Sequence, residues 1–448
     1  MLHVSDHHGS QDRHDARVVV IGTGYVGLTT GACLASLGHR VVCADADSGK
    51  VERLSRGQVD ILEPGLPELV ADGLATGRLV FTGDTVSAVR EAEVVFLCLP
   101  TPMGLGGAAD LAAVEAVAGQ VRHELPDGCV VANKSTVPVG TSGRVAALLG
   151  RPDVAVVSNP EFLREGRAVH DFLHPDRIVV GGAPEAVERV AALYGTLGAP
   201  LVRTDAASAE LAKYAANFFL AMKLSFANNL ATLCESFGAD IADVTAAIGQ
   251  DPRIGSAFLQ PGPGWGGSCL PKDTHALLSV CEAAGIDFPL LRATIDTNVA
   301  HQERLVERVV ADLVPAGGSP AGARLALFGL TFKAGTSDLR DSPALAVARA
   351  LRDLGIELVA YDPALSATRP DLTDLLTLAD DPLSAADGAA ACLILTEWPE
   401  FRDLDWEAVA ARMDGRTVHD FRNLLDPDRL ERAGLVRQSI GRPYALTG

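Results

Sequence analysis

A short apolar segment that runs into a glycine-rich turn constrains the fold of this chain more than any other feature. Residues 17–21 read RVVVI, and the run Gly22-Thr23-Gly24-Tyr25-Val26-Gly27 follows directly. Behind it, a helical pattern of small and apolar residues extends to Leu37 and stops at Gly38. A strand, a tight glycine turn and a helix make up the first half of a βαβ unit. The segment therefore predicts a parallel sheet with crossover helices.

An acidic residue at the end of the next apolar segment extends this pattern. Asp45 follows Val41–Ala44 and lies 23 residues after Gly22. A carboxylate at this place accepts hydrogen bonds from an adenosine ribose and repels a 2′-phosphate. The glycines meanwhile let backbone N–H groups and the helix N-terminus approach a pyrophosphate. We therefore predict that the chain binds NAD rather than NADP, with FAD as the less favoured alternative.

The alternation of apolar segments and helical patterns continues to about residue 205. Further strands are predicted at Val94–Leu99, Cys129–Ala132, Val154–Val157 and Ile178–Val180. The composition then changes: the 29 residues from Ala209 to Phe237 contain neither Gly nor Pro. This composition predicts one long helix.

Shorter helices and a second group of strands follow the long helix. Helices are predicted at Ile241–Ile248, Asp273–Ala284 and Leu291–Leu313, with another opening at Ser342-Pro343. Strands are predicted at Leu325–Leu330, Glu357–Tyr361, Ala391–Leu395 and Thr417–His419. The predicted fold class is α/β, with two Rossmann-like doubly wound parallel-sheet domains joined by a long central helix and a helical middle domain.

Four segments result from this division of the chain. We expect a disordered tail at 1–16, an N-terminal NAD-binding domain at 17–205, a central helical domain at 206–314 and a C-terminal α/β domain at 315–448. The second group of strands lacks a GxGxxG run, which suits a nucleotide-sugar site better than a second dinucleotide site.

Composition excludes several classes of partner. A net charge of −19 argues against nonspecific nucleic-acid binding. No stretch approaches the roughly 18 apolar residues of a membrane span, and no apolar signal-peptide core is found near residue 1. The eight cysteines form no CxxC pair and no zinc-like spacing, so neither disulfides nor a metal site is predicted. A cytoplasmic protein is expected.

One cysteine lies in a setting that suggests chemistry. Cys269 belongs to the run Gly266-Gly267-Ser268-Cys269-Leu270-Pro271-Lys272-Asp273, where Ser268 to Pro271 predicts a helix start. A helix N-terminus favours the thiolate, which is the form that attacks an aldehyde. Asp273 is four residues on, on the same helix face, and can help to order a water. A hydride acceptor and a thiol nucleophile in one chain indicate an alcohol oxidation that passes through a sulfur-bound intermediate to an acid.

A lysine and an asparagine on the long helix form a second candidate pair. Lys213 and Asn217 are four residues apart, so their side chains project from one face and can reach the same oxygen. An ammonium and an amide held in place beforehand would stabilise a developing oxyanion.

These motifs resemble, in order, the signatures of the UDP-glucose/GDP-mannose dehydrogenase family from about residue 17 to 428. The remaining matching runs are Glu63-Pro64-Gly65-Leu66, Leu99-Pro100-Thr101-Pro102, Lys134-Ser135-Thr136-Val137-Pro138, Asn159-Pro160-Glu161-Phe162-Leu163-Arg164-Glu165-Gly166, Lys213-Tyr214-Ala215-Ala216-Asn217, Arg253-Ile254-Gly255 and Gly329-Leu330-Thr331-Phe332-Lys333 with Asp338 and Arg340.

The resemblance implies a four-electron oxidation of a UDP-sugar at C6, with two NAD reduced in succession and Cys269 carrying a thiohemiacetal and then a thioester. It implies that Glu161 and Asp273 lie near the hydrolytic water, and that Lys213 and Asn217 form the oxyanion clamp. Thr136 is implied near the nicotinamide and the reacting carbon.

The resemblance also implies further binding residues. For NAD, beyond the glycine run and Asp45, these are Lys50, Thr101, Thr136, Glu165 and Lys333. For the sugar nucleotide they are Glu161, Phe162, Leu163, Arg164, Lys213, Asn217, Arg253, Phe258, Gly266, Lys333 and Arg422. The family pattern further implies a homodimer built on the long helix, with Arg253 reaching the neighbouring subunit's site.

Three positions depart from the family pattern, namely Leu62, Asn229 and Trp265, and none of them touches the proposed chemistry. UDP-glucose is the favoured substrate, and GDP-mannose or a UDP-N-acetylhexosamine is the alternative. Two hypotheses from other classes stay open: a two-electron β-hydroxyacid dehydrogenase, which needs no Cys269, and a catalytically silent nucleotide-binding protein.

Overall fold

The computed structural model describes residues 15–314, 318–366 and 369–442, so the tail predicted at 1–16 lies almost entirely outside the described residues. The chain divides into two compact units, with the boundary between Tyr214 and Ala215. The predicted limits of the three folded domains stay predictions. None of the described helices combines the length and the apolar composition that a membrane span requires.

An eight-stranded sheet organises the first unit. Its strands are β1 (Arg17–Ile21), β2 (Arg40–Ala44), β3 (Leu79–Thr82), β4 (Val94–Leu97), β5 (Val130–Asn133), β6 (Ala155–Ser158), β7 (Ile178–Gly181) and β8 (Leu201–Thr204). The spatial order is β3-β2-β1-β4-β5-β6-β7-β8, with parallel neighbours except at one pair. Strand β7 meets β6 antiparallel, through Ser158 and Gly181.

Apolar side chains cover both faces of this sheet. Along β1, Val18 and Val20 pack into one cluster and Val19 and Ile21 into another, as the period of two in a strand requires. The helices of this unit are α1 (Tyr25–Ser36), α2 (Ser48–Ser55), α3 (Leu66–Ala75), α4 (Thr85–Ala88), α5 (Ala112–Val121), α6 (Thr141–Leu149), α7 (Ala168–Leu173) and α8 (Pro184–Ala192).

The predicted long helix is present as α9 (Ala206–Phe237), 32 residues long. Its first nine residues belong to the first unit and the others to the second. Three more helices follow it: α10 (Ile241–Gly249), α11 (Leu270–Ala283) and α12 (Pro289–Leu313). All four were predicted within a few residues of their observed ends.

A six-stranded parallel sheet organises the second unit. Its strands are β9 (Arg324–Phe328), β10 (Glu357–Tyr361), β11 (Thr377–Leu378), β12 (Ala391–Ile394), β13 (Thr417–Asp420) and β14 (Val436–Ser439), in the order β11-β10-β9-β12-β13-β14. Its helices are α13 (Pro343–Asp353), α14 (Pro382–Ala386), α15 (Trp406–Arg412) and α16 (Pro427–Arg432).

The predicted fold class is confirmed, and the differences lie at the sheet edges. The apolar pattern missed β3, β8, β11 and β14, which are short strands with few fully buried residues. It also gave no sign that β7 and β8 run against the other strands of their sheet, because periodicity carries no information about strand direction.

Candidate active site

The glycine turn after β1 has the geometry of a phosphate-binding turn. Gly22 has φ 94°, and a Cβ added there would lie 2.5 Å from the carbonyl oxygen of Cys98. A Cβ on Gly27 would lie 1.8 Å from the carbonyl oxygen of Gly22. In contrast, a Cβ on Gly24 would meet nothing within 4 Å. Two glycines are therefore required by packing, while the middle one borders open space.

Helix α1 begins directly at this turn. Its N-cap is Gly24, which offers no side-chain cap, and the first turn contains no acidic residue. The N–H groups of the first turn are therefore available to an anionic ligand. These residues fit the pyrophosphate of NAD.

Asp45 ends β2 beside the same turn. Its Oδ2 accepts hydrogen bonds from the N–H (2.8 Å) and the hydroxyl (2.6 Å) of Thr23, and the Lys50 ammonium lies 3.2 Å away. Burial alone would raise the pKa of this carboxyl, but the hydrogen bonds from Thr23 and Asp47 and the charge of Lys50 lower it to about 2. Asp45 is therefore ionised at neutral pH, and the Lys50 ammonium lies at its side.

The Tyr25 hydroxyl links the glycine run to the Asn159–Gly166 segment by hydrogen bonds. The Gly166 N–H donates to the Tyr25 hydroxyl at 2.6 Å, and that hydroxyl donates to the buried Glu63 carboxylate. Glu63 in turn accepts the Val169 N–H. The loop that contains Glu165 is thus anchored to the cofactor turn.

Two of the predicted threonines are joined at a neighbouring strand end. The Thr101 hydroxyl donates to the carbonyl oxygen of Thr136 at 2.9 Å, and Thr101 is buried. This bond links the segments after β4 and β5 and brings the two threonines together.

Glu161 and Lys213 form a buried ion pair in the first unit. Their Oε1 and Nζ atoms are 3.1 Å apart, and the residues are 8% and 3% exposed. Burial would raise the pKa of Glu161, but the charge of Lys213, the Leu163 N–H at 2.6 Å and the charge of Lys134 together lower it. The carboxylate is therefore ionised at neutral pH and can act as a base.

The three residues after Glu161 border a cavity of about 110 Å³. The Arg177 guanidinium stacks 3.6 Å from the centre of the Phe162 ring, and Arg164 pairs with Asp171 at 2.6 Å. Leu163 contributes its N–H to Glu161. Phe162, Leu163 and Arg164 thus form one structured wall in the first unit.

Cys269 differs from the other cysteines. It is the N-cap residue of α11 and is exposed, whereas the remaining seven cysteines are buried and none of the eight is in a disulfide. Burial raises the pKa of those thiols, for example that of Cys98 to about 12. The predicted helix start at this run is confirmed, and Cys269 is the cysteine accessible to a substrate.

Asp273 lies one turn into the same helix and is only 1% exposed. Its carboxylate accepts the Asn217 amide at 2.6 Å and the Lys272 ammonium at 2.5 Å, and its N–H donates to the Cys269 carbonyl oxygen at 2.9 Å. The second unit therefore brings Asn217, Asp273 and the Cys269 backbone together. Lys213 and Asn217, expected to share one oxygen, each hold a different carboxylate in this structure.

The loop that precedes Cys269 is tightly built. Phe258 has φ 62°, an uncommon conformation for a residue with a side chain. A Cβ on Gly266 would lie 2.0 Å from the carbonyl oxygen of Asp341, and one on Gly262 would lie 3.1 Å from the Arg422 guanidinium. Arg422, which follows β13, therefore adjoins this loop.

Two further predicted residues, Arg253 and Lys333, lie in the second unit. The Arg253 side chain is 87% exposed and pairs with Asp251 at 2.5 Å. Lys333 lies 5.5 Å from the centre of the Phe332 ring. The roles assigned to all of these site residues stay predictions.

Sequence reasoning assigned no role to two buried charges near these residues. Glu210 accepts the N–H groups of Gly140 and Ser142, at 2.6 and 2.8 Å, and the Ser142 hydroxyl. It lies one turn before Lys213 and so fixes that stretch of α9 to the start of α6. Lys134, at the end of β5, is 4% exposed. A charged residue directly after a fully buried strand is the signal that could have indicated Lys134.

Comparisons with known proteins match one family along most of the chain. Three models of the UDP-glucose/GDP-mannose dehydrogenase family match: the NAD binding domain at 16–198, the central domain at 207–300 and the UDP binding domain at 326–427.

Individual relatives match over nearly the whole chain. The chain is 45% identical over 438 residues to a UDP-glucose 6-dehydrogenase of Rhizobium meliloti (strain 1021), covering 95% of this chain and 100% of the relative. It is 41% identical to UDP-glucose 6-dehydrogenase TuaD of Bacillus subtilis (strain 168), with 95% and 93% covered. A solved UDP-glucose dehydrogenase from the hyperthermophilic archaeon Pyrobaculum islandicum superposes with a TM-score of 0.87 at 36% identity, with 97% and 100% covered.

Proposed function

We propose that this chain, which belongs to the UDP-glucose/GDP-mannose dehydrogenase family, is an NAD-dependent enzyme that oxidises UDP-glucose at C6 to UDP-glucuronate. The observation that carries the proposal is Cys269, the exposed thiol at the N-terminus of α11, with buried Asp273 one turn further along. The relatives that cover nearly the whole chain are UDP-glucose 6-dehydrogenases.

The proposed chemistry uses the thiol of Cys269 as a temporary carrier of the sugar carbon. Oxidation of the C6 alcohol yields an aldehyde, and the thiolate adds to its carbonyl carbon to form a thiohemiacetal. Loss of a second hydride from the carbon and of the hydroxyl proton converts this adduct to a thioester. Water then adds to the thioester carbon, and the C–S bond breaks to release the acid and the thiol. NAD, when bound, accepts one hydride in each oxidation, so two are reduced for each sugar.

The other residues prepare these steps. Lys213 and Asn217 stabilise the oxyanion at C6 when it develops, since an ammonium and an amide already held by carboxylates need little reorganisation. Glu161 and Asp273 accept hydrogen bonds from the hydrolytic water, with Glu161 ionised for that task. Thr136, tied to Thr101, is assigned to the reacting carbon.

The residues assigned to NAD are those of the first glycine turn and its surroundings. Asp45 would accept the ribose hydroxyls and the start of α1 would hold the pyrophosphate, while Lys50, Thr101, Glu165 and Lys333 are assigned further contacts. The sugar nucleotide is assigned to Phe162, Leu163, Arg164, Phe258, Gly266 and Arg422.

The proposed assembly is a homodimer built on α9. Phe219, Phe226 and Leu233 recur every seven residues along this helix and are 55%, 51% and 52% exposed. Phe219 and Phe226 line an apolar groove of about 420 Å³ together with Arg253. A second copy that covers this stripe would bury it, and Arg253 would then act in the partner's site. The predicted cytoplasmic location stays a prediction.

The test is NADH formation with UDP-glucose, GDP-mannose and the UDP-N-acetylhexosamines. We expect the highest kcat/KM with UDP-glucose and two NADH for each UDP-glucuronate. Cys269→Ala should form no acid, whereas Cys281→Ala, which removes a buried thiol from the same helix, should retain the two-to-one ratio.

Other outcomes of this test favour the alternatives. Higher kcat/KM with GDP-mannose or a UDP-N-acetylhexosamine would change the substrate but not the mechanism. One NADH for each turnover, ending at an aldehyde or ketone, would favour the two-electron β-hydroxyacid dehydrogenase. No NADH with any sugar nucleotide would favour a silent nucleotide-binding protein.

A further inference from the structure

Lys134 is a buried cation that the proposed chemistry does not use. It follows β5 directly, is 4% exposed, and its ammonium lies 5.7 to 6.0 Å from the ring centres of Phe96, Phe172 and Tyr194. Its hydrogen-bond acceptors are the Asn159 Oδ1 (3.2 Å) and the Tyr194 hydroxyl (3.3 Å), which are both neutral. Burying an ammonium without a directly bonded carboxylate is costly, so the cation calls for an explanation.

Asn159, which Lys134 binds, is held on every side. Its N–H donates to the Asn133 carbonyl oxygen and its amide donates to that of Val179, both at 2.8 Å. Its Oδ1 also accepts the Tyr194 hydroxyl at 2.7 Å. Glu161 lies two residues further along, beyond Pro160, whose ring restricts the backbone. The position of Glu161 therefore depends on this anchored corner.

The charges around Glu161 are unbalanced. Lys213, at 3.1 Å, is its direct partner, and Lys134 and Arg177 add positive charge close enough to interact with it. Cys98 also interacts with Glu161, and its thiol is protonated because burial raises its pKa to about 12. The acidic groups that border the same cavity, Asp171 and Asp176, interact with Arg164 and with Arg177. Lys134 is thus part of a positive environment around one carboxylate.

We propose that Lys134 is a positioning residue for Glu161: its ammonium group fixes the Asn159–Glu161 corner and supplies a buried positive charge that keeps the Glu161 carboxylate ionised during thioester hydrolysis. The role in hydrolysis rests on the function proposed above. Burial lowers the pKa of Lys134 to about 8, and the charge of Glu161 opposes that change, so the two groups support each other's charged forms.

The alternative is that Lys134 only fills space, and the structure offers a way to distinguish the two. If Lys134 is replaced by Met, the Tyr194 hydroxyl still donates to Asn159 Oδ1, so both groups keep a hydrogen bond. Met also has a similar length and suits an aromatic setting. Lys134→Met should therefore fold and melt close to the wild-type protein.

The test compares Lys134→Met with Lys134→Gln, which is neutral but can still donate a hydrogen bond, and with Tyr194→Phe, which removes a hydrogen bond without changing charge. In Lys134→Met we expect kcat to fall about 10- to 100-fold with KM for UDP-glucose within about twofold. The acid limb of the kcat–pH profile should move up by roughly one unit. The Cys269 thioester should accumulate in acid-quenched samples analysed by mass spectrometry.

Lys134→Gln and Tyr194→Phe separate the effect of charge from the effect of hydrogen bonding. Lys134→Gln should show the same shift of the acid limb with a smaller loss of kcat, and Tyr194→Phe should show no shift. A kcat–pH profile in Lys134→Met that is lowered uniformly, or a loss of activity that follows a loss of melting temperature, would overturn the proposal.

A measurement without turnover keeps this inference distinct from the proposed function. A ¹³C NMR titration of glutamate-labelled protein, with Glu161→Gln to assign the signal, should show a higher pKa for Glu161 in Lys134→Met. If the pKa does not change, the inference fails even for an active dehydrogenase. If it rises in a protein that oxidises no sugar nucleotide, the electrostatic role of Lys134 holds and the proposed function fails.

Discussion

The two sheets of this protein open with the same backbone arrangement. In the first, Gly22 follows β1 with φ 94° and donates its N–H to the Ala44 carbonyl oxygen at 2.8 Å. In the second, Gly329 follows β9 with φ 89° and donates to the Tyr361 carbonyl oxygen, also at 2.8 Å. In both, the first strand is thus tied to the end of the second by a glycine in a left-handed conformation.

An aspartate after the second strand completes each arrangement. Asp45 accepts the N–H and the hydroxyl of Thr23, and Asp362 accepts the N–H (3.0 Å) and the hydroxyl (3.1 Å) of Thr331. The same pair of residue types therefore closes the same turn twice in one chain.

The surroundings of the two aspartates differ. The Asp45 side chain is 16% exposed and has Lys50 beside it, and α1 begins within three residues of Gly22. Asp362 is 2% exposed and accepts the Trp398 indole N–H at 3.2 Å, and α13 begins only at Pro343. One turn is open toward a helix N-terminus and the other is sealed by an aromatic side chain. A shared backbone motif thus does not establish a shared ligand.

The largest expected difference is in stability. Asp362→Asn should destabilise the second unit by roughly 3 kcal/mol, because it removes charged acceptors from buried backbone N–H groups. For a unit of this size we expect the melting temperature to fall by about 6 to 12 °C in scanning calorimetry. Asp45→Asn, the matched change, should cost less than about 1 kcal/mol, since water can reach that turn. Equal losses would show that the two turns are energetically equivalent.

Cofactor affinity should show the opposite ranking. Asp45→Ala should weaken NAD binding about 10- to 100-fold, because the charged acceptor proposed for the ribose is lost. Asp362→Asn should leave the Kd for NAD within about twofold. Isothermal titration calorimetry below the melting temperature of both variants measures this. An affinity loss in the Asp362 variant alone would place the cofactor at the other turn.

The two units should lose folding stability at different pH values as the solution is acidified. Burial, aided by the charge of Arg308, lowers the pKa of His419 to about 3, below its ordinary value of about 6.5. The unfolded chain therefore binds this proton first, and stability is lost as pH falls from 6.5 toward 3. Asp45, with its pKa lowered to about 2, loses its contribution only below about 3.8. Between pH 7 and 5 the second unit should lose roughly 2 kcal/mol from His419.

Urea unfolding monitored with probes in each unit, at pH 7 and pH 5, tests this selectivity. His419→Leu should flatten the pH dependence of the second unit and leave that of the first unchanged. His301, in the second unit with its pKa lowered to about 4 by burial, should account for part of the dependence that remains. A first unit that weakens more steeply would contradict the assignment.

The smallest expected effect concerns the hydrogen bond from the Trp398 indole to Asp362. Trp398→Phe removes the indole donor to Asp362 and should cost about 1 kcal/mol in urea unfolding. Lys50→Met removes the matching donor at Asp45, and its cost should stay below about 0.5 kcal/mol, because that pair is partly exposed. If both changes cost the same, the indole is not what distinguishes the two turns.

Much of the fold and part of the site could be predicted from the sequence. The strand before Gly22, the long helix α9 and the helix start at Cys269 all follow from periodicity and capping within a few residues. The edge strands and the reversed β7 and β8 could not be predicted, because pairing partners lie far apart in the chain. The buried position of Lys134 could not be predicted for the same reason, because its partners Asn159 and Tyr194 are distant in sequence.

By itself the sequence determined where the glycine turns and helix ends fall and which residue types the chemistry can draw on. Local steric rules set these features, and they act between near neighbours. Only the tertiary structure decided that Lys213 pairs with Glu161 while Asn217 binds Asp273, and that Asp362 is sealed where Asp45 is open. Those outcomes depend on burial and on contacts between distant segments, which set the cost of each charge and are not encoded in local spacing.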